Sequence, residues 1–84
     1  MTERILIVDD IATNRIVLKV KLASAFYDTL QAATGAEAIA IARQARPDLI
    51  LLEVELPDME GAEVCAKLKN DPATRDIPVV MVTG

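Results

Sequence analysis

Four carboxylates fall in two short segments of this chain: Asp9-Asp10 behind one apolar run, and Glu53 with Glu55 behind another. The runs are Ile5-Leu6-Ile7-Val8 and Leu49-Ile50-Leu51-Leu52, both unbroken. Carboxylates gathered in one place repel each other unless a cation or a proton intervenes. Hard oxygen ligands with open positions suit Mg²⁺, which keeps several of its waters. The chemistry on offer is a magnesium pocket, with Glu53 projecting into it from a strand tip. Asp9 and Asp10 also have a plainer use, because aspartate is favoured at a helix start and anions suit a helix N-terminus. Thr83 adds a hydroxyl behind a third apolar run, Val79–Val82.

Composition narrows the alternatives. There is no histidine, which removes the commonest metal ligand and general base. Cys65 is the single cysteine, so no disulfide can close within the chain, and a cytoplasmic setting is expected. Net charge is −4, from 9 basic and 13 acidic residues, which argues against nucleic-acid binding. Arg15, Lys19 and Lys21 in one helical stretch, and Lys67 and Lys69 in another, read as solvated faces. The first apolar run is too short for a signal peptide, and nothing approaches a membrane span. No Gly-rich loop follows that run, which disfavours a nucleotide site.

The elements that must position these groups follow from periodicity. Continuous apolar strands are buried on both faces, as in a parallel sheet covered by helices. Strands are expected at 5–8, 28–32, 49–52 and 79–82. Between them, helices are expected at 12–24, 35–45 and 61–69. In the first, Ile16, Val17, Val20 and Ala23 share one face, with Leu18 and Leu22 alongside. Thr34-Gly35-Ala36-Glu37 is a capping-box pattern that opens the second, and Arg46-Pro47 closes it. Val64, Cys65 and Leu68 of the third point inward, and Asn14 is expected to face solvent beside the pocket. The order β-α-β-α-β-α-β implies one small domain over 1–84, an α/β sheet with right-handed crossovers. A doubly wound sheet is expected to continue past Gly84, leaving the last strand as an open apolar edge. Apolar residues make up 52% of the chain, which hints that some apolar area is covered by another chain or segment.

Taken together, these residues resemble the receiver domain of two-component response regulators. Val8-Asp9-Asp10 is similar to the family's acidic pair. Leu51-Leu52-Glu53-Val54-Glu55-Leu56-Pro57-Asp58-Met59-Glu60-Gly61 is similar to its phosphoacceptor loop. Ile77-Pro78-Val79-Val80-Met81-Val82-Thr83 is similar to its fourth strand and switch hydroxyl. Asn14 and Asn70-Asp71-Pro72-Ala73-Thr74-Arg75 look most like the N-terminal receivers of diguanylate cyclases with a GGDEF output domain. The resemblance implies a flavodoxin-like sheet of strand order 2-1-3-4, lacking the final α-β-α. It implies a signalling module and not an enzyme, taking a phosphoryl group from a histidine kinase or phosphotransfer protein. Position 53 is then the acceptor, Thr83 the switch hydroxyl, and Asp9, Asp10, Glu53 and the backbone carbonyl of Glu55 the Mg²⁺ site.

Two features depart from the family pattern. The acceptor position holds Glu53 where the family has aspartate, and the family's phosphate-clamping lysine has no counterpart by position. The longer arm sets the carboxylate roughly 1.5 Å further out, so phosphoryl acceptance is expected to be impaired, or the phosphorylated state imitated. The alternative is a phosphorylation-independent pseudo-receiver acting as an interaction module, with a homodimer formed through the open sheet edge. A phosphohydrolase built on Asp9 would need a second aspartate where Ile11 stands.

Overall fold

The computed structural model describes residues 2–82, and the elements run in the expected order. They are β1 (Arg4–Val8), α1 (Ala12–Ser24), β2 (Asp28–Ala32), α2 (Gly35–Ala45), β3 (Leu49–Glu53), α3 (Gly61–Lys69) and β4 (Val79–Val82). The strands form one parallel sheet in the order β2-β1-β3-β4. Val8 lies beside Ala32 on one flank and Leu52 on the other, while Glu53 lies beside Val82.

Topology decides which helix covers which face. The chain steps outward from β1 to β2, then back past β1 to β3 and on to β4. Right-handed crossovers in opposite directions place their helices on opposite faces, so α1 lies on one side and α2 and α3 on the other. The α2/α3 side holds the main core: Leu6, Val8, Ala32, Ile50 and Leu52 from the sheet meet Ala38, Ala42, Val64 and Leu68 from the helices. Small alanines on α2 bring its axis close to the sheet. Cys65 is half-buried against this core, as its position in α3 suggests.

The α1 side is thinner. Ile5 and Ile7 are buried there, but no residue of α1 is itself buried. Leu18 and Leu22 turn toward the sheet and are half-buried. The expected inward face of Ile16, Val17, Val20 and Ala23 is instead exposed, with Ile16 at 57% and Val20 at 60%. The helix has apolar residues on two sides, and the sheet can cover only one of them.

Local signals place the helix ends. The Thr34 hydroxyl accepts from the Glu37 amide at 3.1 Å, as a capping box requires. The Glu37 carboxylate returns to the Ala33 amide, one residue earlier than the pattern specifies. Arg46 ends α2 in the left-handed region, at φ 46°, directly before Pro47. Phe26 takes the same conformation after α1, at φ 68°, where the Phe26 and Tyr27 amides close onto Ala23 and Leu22 carbonyls.

Candidate functional site

Strand order reverses between β1 and β3, and in open parallel sheets the crevice beyond the strand ends at such a point receives ligands. An open cleft of about 620 Å³ lies there, lined by Asp9, Asp10, Ile11, Asn14 and the loop Glu53–Pro57. The four carboxylate residues singled out from the sequence, Asp9, Asp10, Glu53 and Glu55, all line it. Thr83 lies outside the described residues.

The four acids are held differently. Asp9 is buried, and both of its oxygens are engaged. One accepts from the Ile11 amide at 2.9 Å, the other from the Asn14 side-chain amide at 3.2 Å. The amide that Asp9 takes belongs to Ile11, the N-cap residue itself, and α1 carries no side-chain cap, so the capping role expected of Asp9-Asp10 is not realised; Asp9 is instead pinned in the cleft wall. Asn14 does not face solvent as expected; it is half-buried and orients the Asp9 carboxylate. Asp10 is exposed and faces the cleft without a protein partner among the described contacts. The half-buried Glu53 carboxylate folds back to accept from the Val54 amide at 3.1 Å. Glu55 is exposed and pairs through its backbone with Glu60 across the loop.

Packing behind Glu53 depends on Gly61. A Cβ there would stand 2.5 Å from the Glu53 carbonyl oxygen, so only glycine lets α3 begin this close to the strand tip. The Gly61 amide uses the space to donate to the Val54 carbonyl at 2.6 Å.

Sequence reasoning missed three supporting residues. Arg15 is not merely solvated; it donates to the Asp9 carbonyl at 2.7 Å and to the Gln31 side chain at 3.1 Å, fastening the end of β1. Lys69, though exposed, donates to the Ile77 and Arg75 carbonyls and braces the loop into β4. Asp58 reaches across to α2, where its two oxygens accept from the Gly35 and Ala36 amides at 2.8 and 2.9 Å. Those amides hold its carboxyl below the ordinary aspartate value. No local spacing signalled any of the three, because each contact is made across the fold.

The donor set is all oxygen: aspartate and glutamate carboxylates with loop carbonyls nearby. Among the described residues, no three metal-ligating side chains converge tightly enough to enclose an ion. That arrangement suits a hard cation held by one or two carboxylates and otherwise by water, which is how Mg²⁺ is commonly bound. It does not suit a metal that needs a closed cage of side chains.

Comparison with known proteins bears on the family and the fold. The family described as response regulator receiver domain matches residues 5–84. Response regulator PleD of Caulobacter vibrioides is 49% identical over the whole chain, which spans 18% of that protein's length. Polar-differentiation response regulator DivK of Brucella abortus is 39% identical over the whole chain, which spans 68% of its length. Among solved structures, a CheY-like receiver domain protein from Methanospirillum hungatei superposes with a TM-score of 0.93 at 34% identity. All of this chain and 66% of that one are covered. The N-terminal domain of a receiver protein from Methanoculleus marisnigri gives 0.90 at 38% identity, covering 93% and 63%.

Proposed function

The chain belongs to the response regulator receiver family, and from that premise we propose that it is a phosphorelay input whose acceptance chemistry is altered by Glu53. The observation that carries this reading is the convergence of Asp9, Asp10, Glu53 and Glu55 on one cleft at the point of strand reversal. Magnesium bound there would neutralise the oxygens of an incoming phosphoryl group. The chain's own part is positional. Asn14 and the Ile11 amide hold Asp9 in place, Asp10 lies open to the cleft, and the Glu55 backbone lies at the loop's turn. Glu53 offers its carboxylate at the acceptor position, but on an arm roughly one methylene too long. Misplacement of about 1 Å can cost about 10²-fold in rate. Glu53 therefore accepts poorly, or stands in as a fixed negative charge. Thr83 is assigned the switch hydroxyl.

The donor in this reading is a histidine kinase or phosphotransfer protein in the cytoplasm. The recipient is an output domain, of which a diguanylate cyclase is the leading candidate. A second reading, a phosphorylation-independent interaction module, is favoured by exposed apolar residues. Ile16, Val17 and Val20 on α1 and Val80 and Met81 on β4 are open to solvent, which suits burial of these apolar side chains against a partner.

An amide proton–nitrogen NMR spectrum with and without Mg²⁺ tests the first reading. Shifts confined to Asp9, Asp10, Glu53 and Glu55 support a working metal pocket. A well-dispersed spectrum indifferent to Mg²⁺ removes it and leaves the interaction module.

A further inference from the structure

The first two amides of α2 have no partner within their own helix, as at any helix start. Here they are satisfied from a distance. Asp58, in the loop between β3 and α3, takes both, while the local cap Thr34 serves Glu37. Met59 reinforces the join. Its Cγ and Sδ lie 2.5 and 2.8 Å from where a Cβ on Gly35 would stand, so glycine at the start of α2 makes room for the loop. Directly before Asp58 comes Pro57, which lines the cleft together with Glu53 and Glu55. One short loop therefore forms the cleft wall at one end and grips α2 at the other. Asp58 itself is exposed, so its own contribution to this join is its two hydrogen bonds, beside the packing of Met59.

We infer that Asp58 is a positioning residue that couples occupancy of the acidic cleft to the first turn of α2, so that this turn moves with the state of the cleft. A shift of the Glu53–Pro57 wall pulls on a carboxylate bonded to two amides, and the start of α2 must follow or lose both bonds. Charge-assisted bonds of this kind are stronger and more directional than neutral ones. The helix start is then tied to the cleft by these bonds as well as by packing. The first arm of the test rests on the magnesium reading above; the second does not.

The first arm adds Mg²⁺ to the intact chain and follows amide shifts. The Gly35 and Ala36 amides should move together with those of Asp10 and Glu55. In Asp58→Ala the cleft amides should still respond while Gly35 and Ala36 fall silent, and Asp58→Asn should give an intermediate response. Silence at Gly35 and Ala36 in the unmodified chain while the cleft responds overturns the coupling, as does an undiminished response in Asp58→Ala. If Mg²⁺ moves no cleft amide, the metal reading fails, and the second arm decides the coupling alone. Glu53→Gln removes the charge at the strand tip. Gly35 and Ala36 should shift in that variant, and the shift should vanish when Asp58→Ala is added. No shift in Glu53→Gln, or the same shift in the double variant, overturns the inference. Loss of peak dispersion would show a merely structural role for Asp58 and would count against it.

Discussion

Replacing Gly61 by alanine should disturb the candidate site from behind, through the backbone of Glu53 and Val54 and without changing any side chain that lines it. The new Cβ would meet the Glu53 carbonyl oxygen at 2.5 Å, the Val54 carbonyl oxygen at 3.0 Å and the Met81 methyl at 2.8 Å. The methyl can swing away. The two oxygens are backbone, and the Val54 oxygen is already bonded to the Gly61 amide. Ordinary contact begins near 3.4 Å, so the strand tip and the start of α3 must separate by about 0.9 Å. Overpacking of this kind costs about 1–3 kcal/mol. Alanine returns about 0.4–1 kcal/mol by restricting the unfolded chain. A net loss of about 1–2 kcal/mol remains. At about 4–8 °C per kcal/mol for a domain of this size, Tm should fall by roughly 5–15 °C. Urea unfolding followed by circular dichroism measures the stability change, and amide shifts at Glu53 and Val54 report the displacement. An unchanged urea midpoint with unmoved Glu53 and Val54 amides would refute the packing argument.

Other consequences follow from the same contacts. Leu52→Ala, at a fully buried position between β1 and β4, should cost about 2–5 kcal/mol in urea unfolding. Val80→Ala, on the half-exposed edge, should stay within about 0.5 kcal/mol. Thr74→Val removes the hydroxyl that donates to the Leu68 carbonyl at 2.7 Å in a buried setting, and should cost about 1–3 kcal/mol. The Gly35 and Ala36 amides depress the Asp58 pKa in the folded state. The stability this group contributes is present above the unfolded aspartate value of about 3.9 and is lost as pH falls through the lower folded value. Asp58→Asn should flatten that acid limb of a stability–pH profile and leave the neutral region's slope unchanged.

Much of this arrangement was legible in the residue order. Unbroken apolar runs gave the parallel strands, and Thr34 with Pro47 bracketed α2. The acids behind two such runs met in one cleft because strand ends at a reversal point share a crevice. What escaped was what depends on distance in space rather than in sequence. The Asp58 grip on α2 joins residues 22 and 23 positions apart, and no local spacing announces it. Arg15 and Lys69 have the composition of solvated helix residues, and only the fold brings carbonyls within their reach. The apolar face of α1 was misjudged because helical periodicity tells which residues share a side, not which of two apolar sides meets the sheet.

The claim at the centre of this account is that the length of the Glu53 arm governs acceptance at this cleft. It is tested most directly by intact-protein mass after incubation with Mg²⁺ and a small phosphoryl donor such as acetyl phosphate, comparing the unmodified chain with Glu53→Asp. The account predicts a magnesium-dependent phosphoryl adduct on Glu53→Asp, and labelling of the unmodified chain slower by about 10²-fold or more. Equal labelling of both proteins, or none on Glu53→Asp, would contradict it.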